Sequence, residues 1–209
     1  MEQTTQNNAV RLCGSLAGPP AFSHESRGER FYTFPLLVRR LSGNSDTLNI
    51  VLRRAQLDAV EAAEREKLLV TGQLRSYNRR RGEGAKLVLT VFARELMLCE
   101  GPDENFVQLT GTLCRAPNLR VTPMGRDICD LMLAVRRGCG RSDYLPCICW
   151  GLRAREAARW PVGTVVRLEG RFQSRSYIKL TEAGPEERVA YEVSATEAEA
   201  LEEAECAVL

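Results

Sequence analysis

Two short stretches of the chain concentrate its binding chemistry: the first places aromatic rings on one strand face, and the second interleaves a ring with arginine and lysine. The first, 143–150, alternates like a β-strand and therefore sorts its side chains onto two faces. The apolar face carries Leu145, Cys147 and Cys149, and the opposite face carries Tyr144, Pro146, Ile148 and Trp150. The second stretch presents Arg171, Gln173, Arg175, Tyr177 and Lys179 on one face. Because arginine neutralises phosphate and aromatic rings stack on bases, this pattern predicts a surface for single-stranded nucleic acid.

The other reactive residues disfavour metal, disulfide and catalytic chemistry. The eight cysteines include no CxxC pair and His24 is the single histidine, so we expect neither a metal site nor a disulfide framework. Asp127 and Asp130 are three residues apart on a predicted strand and therefore face opposite ways. With no glycine-rich phosphate loop and no nucleophile–base arrangement, we expect no enzyme and no cofactor.

Length and composition suit a soluble protein of one large or two small domains. The chain has 209 residues, of which 44% are hydrophobic and 27% charged. No apolar run approaches the roughly 18 residues of a membrane span, and the polar start lacks a secretory signal, which predicts a cytoplasmic protein. The net charge of +2 conceals a basic segment, 105–181, with thirteen Arg or Lys against five Asp or Glu, followed by an acidic end.

An internal repeat organises the chain. Residues 10–16 (VRLCGSL) match 107–113 (VQLTGTL) at an offset of 97, and the same offset aligns Asp46 with Asp143. We interpret this as two copies of one domain. The predicted boundaries are 1–100 for copy one, a turn-rich linker at 100–104, 105–195 for copy two, and an acidic tail at 196–209.

Each copy is predicted to contain five strands with one short helix between the third and the fourth. The strands are expected near 9–16, 30–40, 46–52, 67–77 and 86–97, and near 105–114, 127–137, 143–150, 164–175 and 188–195; the helices are expected near 54–66 and 152–160. This order is that of a Greek-key OB barrel, a fold whose sheet face and loops bind oligonucleotides or oligosaccharides. The predicted fold class is therefore all-β, with two tandem OB barrels.

The two copies differ on the outer face of the third strand. In copy one this face reads Thr47, Asn49, Val51 and Arg53, an ordinary half-polar strand. Since the shared fold forms without aromatic residues there, we interpret the rings of copy two as a binding surface. In copy one only Tyr77 is expected to offer a ring on this face, and of the neighbouring Phe31 and Tyr32 at most one can join it.

Copy two resembles bacterial single-stranded DNA-binding proteins along nearly its whole length. The motifs that carry the resemblance occur in the family's order: NFVQLTGTLCRAPNLRVTPMG, DLMLAVRR, DYLPCICWG, LEGRFQSRSY and AYEVS. Copy one looks like a degenerate member. The resemblance implies OB folds that coat exposed single strands without strong sequence preference during replication, recombination and repair, without catalysis. For chains with two barrels it implies a homodimer with four OB folds.

Carried over by position, the resemblance implies base stacking on Tyr144, Trp150 and Tyr177. The matching cations for phosphate are Arg120, Arg136, Arg171 and Arg175, and the strand pattern adds Lys179. Copy one offers Tyr77 with Arg39, Arg53, Arg75, Arg79 and Arg81. The family recruits replication and repair proteins through an acidic tail tipped with Pro-Phe. This chain departs from that pattern because it ends Cys206-Ala207-Val208-Leu209.

Two other functions are compatible with the same residues. One is an OB pair that serves as a protein-interaction or assembly module and has lost nucleic-acid binding. The other is an RNA-binding protein, because no residue pattern reveals a contact to the 2′-hydroxyl.

Overall fold

The computed structural model describes residues 7–63, 66–80, 85–181 and 184–202, and the same order of elements occurs twice in it. The first half contains β1 (Asn8–Leu16), β2 (Ala21–Ser26), β3 (Glu29–Arg39), β4 (Ser45–Arg53), α1 (Leu57–Ala62), β5 (Lys67–Arg80) and β6 (Ala85–Cys99). The second half contains β7 (Glu104–Leu113), β8 (Asn118–Val121), β9 (Asp127–Arg136), β10 (Ser142–Trp150), α2 (Leu152–Ala157), β11 (Val165–Thr181) and β12 (Gly184–Ala200). The side chains of residues 80, 85, 86, 179 and 181 are outside this description.

Each half closes into a five-stranded barrel. In barrel one, β1 pairs antiparallel with both β3 and β5, and β4 pairs parallel with β6. In barrel two, β7 pairs with β9 and β11 in the same way, and β10 pairs parallel with β12. The short strands β2 and β8 extend the sheet at its two edges. The predicted all-β fold of two OB barrels, each with a short helix between its third and fourth barrel strands, is confirmed.

Alternating side chains fill each barrel. On β4, Leu48, Ile50 and Leu52 are completely buried, whereas the intervening side chains are wholly or partly exposed. On β10, Cys147 and Cys149 are buried in the equivalent core, where burial raises the pKa of Cys149 to about 12. These thiols therefore stay protonated and act as small apolar core residues, as predicted.

Several elements differ from their predicted bounds, among them β5 and β11, which end at Arg80 and Thr181 and not near 77 and 175. Both helices are shorter than predicted, because Arg54–Gln56 forms a 3-10 turn before α1 and the N–H groups of Arg159 and Trp160 bond carbonyls three residues back after α2. In addition β12 continues to Ala200, so 196–200 is a strand and not the start of an acidic tail. Residues 203–209 of the predicted tail lie outside the described residues. No helix in the described ranges has the length and apolar content needed to cross a membrane.

Strands β1 and β7 pair antiparallel and join the two barrels into one twelve-stranded sheet. In this pairing Val10 lies opposite Val107, which is the same position in the second copy. The two barrels are therefore related by an approximate two-fold axis that passes through this pair of valines.

Two buried aspartates connect the barrels symmetrically on either side of that axis. Asp143 of barrel two accepts the backbone N–H of Ser76 in barrel one at 2.6 Å and the Nε of its own Arg137 at 2.7 Å. Asp46 of barrel one accepts the backbone N–H of Ser174 in barrel two at 2.7 Å. Arg40 completes this second cluster through its Nε at 2.7 Å.

The two clusters differ in one residue. Arg75 of barrel one adds an ion pair to Asp143 at 3.0 Å, whereas the equivalent position in barrel two is Gln173, which bonds Glu192. The Asp143 carboxylate thus has two arginine partners and no exposed surface. A buried carboxylate of this kind is tolerated only because its charge is paired and hydrogen-bonded.

Replacing Asp143 with Ala should lower the free energy of unfolding by about 3–5 kcal/mol, because Arg137 and Arg75 lose their buried partner. Urea denaturation measures the change. The control is Asp130→Ala, which breaks the half-exposed pair with Arg120 and should cost about 0–1 kcal/mol. Equal losses in the two variants would show that the Asp143 cluster does not hold the barrels together.

Candidate nucleic-acid interface

Tyr144 and Trp150 lie on the outer face of β10, and 51% and 39% of their respective surfaces are exposed. The alternation of the strand places them there, since the residues between them that point inward form the core. Ile148, which was predicted to be exposed on the same face, is instead buried. Ile148 is flanked by strand partners on both sides, Asp130 on β9 and Ser194 on β12.

A hydrogen bond fixes the orientation of the indole of Trp150. Its Nε1–H donates to Ser194 Oγ at 3.1 Å. Ser194 lies directly opposite Arg171 in the pairing of β12 with β11. The indole is therefore held toward β12, and Arg171 lies on the same outer face of the next strand.

The strand register also places two arginines next to these rings, on the side of β10 away from β12. Arg120 on β8 lies opposite Ile128 on β9, and Ile128 lies opposite Trp150 on β10. Arg136 on β9 lies diagonally across from Tyr144. Residues that are far apart in the sequence thus share one face of barrel two with the two rings.

The extended hairpin of β11 and β12 carries the third predicted ring. Tyr177 is 38% exposed, and the Arg175 guanidinium lies 5.9 Å from its ring centroid, within cation–π range. Arg175 Nε also lies 3.8 Å from a carboxylate oxygen of Glu192. The side chain of the next predicted residue on this face, Lys179, is outside the described part of the structure.

The predicted cations differ in whether a carboxylate already binds them. Arg120 makes two hydrogen bonds to Asp130, at 2.7 and 2.9 Å, and this bonding raises its pKa. Arg75 is committed to the buried Asp143 between the barrels. Among the predicted cations, four are exposed and have no ion pair with a described carboxylate: Arg39, Arg79, Arg136 and Arg171. Arg39 lies beside the linker, where its backbone N–H donates to Asp103. Arg81 is outside the described residues.

Barrel one has an aromatic cluster that the sequence did not reveal. Arg53 occupies the position equivalent to Trp150, and its guanidinium lies over the ring of Phe92 on β6, 5.1 Å from the centroid. Phe31 on β3 lies 6.1 Å from Phe92. Glu29 pairs with Arg53 at 3.1 Å. The prediction that only Tyr77 offers a ring on this face is therefore wrong.

The internal repeat does not predict the position of Phe92, because its offset changes in the last strand of each barrel. In the parallel pairings, Phe92 lies opposite Val51 just as Ser194 lies opposite Ile148. The β5–β6 and β11–β12 hairpins differ in length, so the offset of 97 does not align these positions. The similar triplets 91–93 (VFA) and 193–195 (VSA) were the available signal.

The other aromatic rings of barrel one lie on the strand faces that the alternation of side chains predicts. Tyr77 is 52% exposed on β5. Phe31 lies on the outer face, where His24 stacks on it at 4.8 Å, and Tyr32 packs against the core and the edge of Phe22. The prediction that at most one of Phe31 and Tyr32 reaches this face is confirmed.

In the part of the chain that the structure describes, no group of three or more His, Cys, Asp or Glu side chains is arranged to hold an ion.

Exposed rings beside arginines on one face of an OB barrel are the arrangement of a single-strand nucleic-acid-binding domain. Residues 104–201 match the model of the Single-strand binding protein family. Single-stranded DNA-binding protein B of Bacillus subtilis is 36% identical over 80 residues, which cover 35% of this chain and 71% of the relative. The chain belongs to the single-strand binding protein family.

Further relatives agree with this assignment, and a solved structure agrees with the fold. The single-stranded DNA-binding protein of Halalkalibacterium halodurans is 36% identical over 80 residues, which cover 35% of this chain and 48% of the relative. The chain thus spans about half the length of the relatives from H. halodurans and Listeria innocua. The crystal structure of the single-stranded DNA binding protein from Thermus aquaticus matches 93% of each chain with a TM-score of 0.75 at 24% identity, which supports the fold.

Proposed function

We propose that this chain binds single-stranded DNA without strong sequence preference. The observation that carries the proposal is the outer face of barrel two, where Tyr144, Trp150 and Tyr177 are exposed beside arginines brought there by strand register. The family assignment and the names of the relatives support DNA as the ligand.

Aromatic rings and arginines contribute to binding in different ways, the rings by stacking on bases and the arginines by neutralising phosphates. Every base has a flat face, so stacking on an aromatic ring contributes about 1–3 kcal/mol per base whatever the sequence. Arg136 and Arg171 have no described carboxylate to displace before they contact phosphate. Arg120 must first exchange Asp130 for the phosphate, which lowers its net contribution. Such binding weakens as salt increases, because the release of counterions from the strand gains less free energy at a higher salt concentration.

Trp150→Ala should weaken binding of oligo-dT by about 1–3 kcal/mol, roughly 5- to 150-fold, because one stacking ring is lost. Fluorescence anisotropy of a labelled strand measures the affinity of both proteins. In the parent protein, oligo-dT should also quench Trp150 fluorescence.

The matched control is Trp160→Phe, which changes a ring packed against the core and should leave affinity within about twofold. Failure of the parent protein to retain oligo-dT would refute the proposal. Stronger retention of oligo-U would instead identify an RNA-binding protein.

Barrel one is proposed to add a second, weaker contact area. The Arg53 guanidinium is flat and is backed by Phe92, so a base can stack on it while its charge attracts phosphate. Tyr77 and Arg79 extend the same face along β5. Glu29 competes for Arg53, which is one reason to expect weaker binding than on barrel two.

Phe92→Ala should weaken binding of a strand of ~35 nucleotides several-fold but not of one of ~8 nucleotides, because a single barrel accommodates ~4–16 nucleotides. The short strand fits on barrel two alone, and the long one needs both barrels. Titrating both lengths against the parent, Phe92→Ala and Trp150→Ala separates the two areas, since Trp150→Ala should weaken both strands. If Phe92→Ala left both affinities unchanged, barrel one would not take part.

We also propose a homodimer that presents four OB folds. The internal two-fold arrangement of the two barrels supports it, because a second copy completes a symmetric set. Light scattering should give the mass of two chains, and a single-chain mass with and without a ~35-nucleotide strand would contradict the proposal.

The proposed activity also implies the cellular processes in which the chain acts. Single strands are exposed during DNA replication, recombination and repair, so we propose that the chain acts in these processes, on DNA in the cytoplasm and without a catalytic step. The missing Pro-Phe tip argues against recruitment of replication or repair proteins through the acidic end, of which 203–209 lies outside the described residues.

A further inference from the structure

Two cysteines meet where barrel one joins the linker, at a place that contains none of the proposed stacking rings. Cys13 lies on β1 and Cys99 ends β6, and they are 86 residues apart in the sequence. Their sulfur atoms are 3.0 Å apart, with the Cys13 thiol donating to Cys99. The spacing of the cysteines along the chain does not indicate this pair.

The two thiols have different surroundings. Cys13 is 1% exposed, and burial is the main cause that raises its pKa. Cys99 is partly exposed, and its sulfur accepts hydrogen bonds from Cys13 and from the Gly101 N–H at 3.4 Å. These bonds, and then the charges of Lys67 and Arg11, lower the pKa of Cys99. A partly exposed thiol with a lowered pKa beside a buried thiol has the arrangement of an attacking and a resolving cysteine.

Hydrogen bonds and an ion pair hold the linker, residues 100–104, close to this pair of cysteines. Lys67 on β5 donates to the Gly101 carbonyl at 3.1 Å and pairs with Asp103 at 2.6 Å. Cys13 lies opposite Glu104, at the last residue pair of the β1–β7 seam. A bond between the two cysteines would therefore fix the end of β6 to the strand that joins the barrels.

We propose that Cys13 and Cys99 form a reversible intramolecular disulfide by exchange with low-molecular-weight disulfides. The Cys99 thiolate attacks one sulfur of the small disulfide, forms a mixed disulfide and releases a small thiolate. Cys13 then attacks the Cys99 sulfur, and the second small thiolate leaves with the Cys13 proton. The protein loses two electrons and the small disulfide gains them, and a dithiol reverses the reaction.

The experiment uses the full chain with Cys139→Ser, which removes an exposed cysteine that would link separate molecules. After incubation with oxidised glutathione, mass spectrometry should show a loss of about 2 Da that dithiothreitol reverses. Peptide mapping without reduction should find Cys13 joined to Cys99. The oxidised protein should unfold at a temperature roughly 10 °C higher than the reduced one, because the bond closes a long loop in the unfolded chain.

Two further variants test the assignment. Adding Cys99→Ser should abolish the mass loss, whereas adding Cys114→Ser, at another partly buried cysteine, should leave it intact. A stable glutathione adduct on Cys99 with Cys13 still free would overturn the proposal, and so would a disulfide between other cysteines. Mapping the parent chain gives the same information if a variant fails to fold. None of these outcomes depends on DNA binding.

Discussion

The antiparallel pairing of β1 with β7 is the constraint on which the rest of the structure depends. It sets Val10 opposite Val107 and thereby fixes the two-fold relation between the barrels. That relation brings Asp46 and Asp143 to the backbone of the opposite barrel, where each carboxylate obtains an N–H group that its own barrel does not supply. Because an unsatisfied buried carboxylate is costly, the two barrels stabilise each other's polar clusters.

The two barrels show how one scaffold carries different surfaces. Their inward residues are constrained by packing, so both cores use the same alternating apolar strands. Their outward residues are not, and the same two neighbouring positions hold Trp150 with Ser194 in barrel two and Arg53 with Phe92 in barrel one. In each case a residue on the parallel-paired strand supports a flat group on the third barrel strand.

Arginine has two separate uses in this chain, and burial of its partner distinguishes them. Arg40 and Arg137 bind carboxylates that are fully buried, where the rigid fork of donors fits and water cannot compete. Arg136 and Arg171 are exposed and unpaired within the described residues, so their charge is available to a ligand. The strand pattern predicts that Arg75 binds the ligand, but its partner is the buried carboxylate of Asp143.

The sequence by itself determined whatever depends on local alternation and on the repeat: two OB barrels, the inward residues of each strand, and the exposure of Tyr144, Trp150 and Tyr177. It did not determine which residues of neighbouring strands touch. Phe92 under Arg53, Arg75 on Asp143, and Cys13 against Cys99 all follow from register between strands distant in sequence. Periodicity along one strand tells which face a side chain takes, whereas its partner is decided only when the barrels close and join.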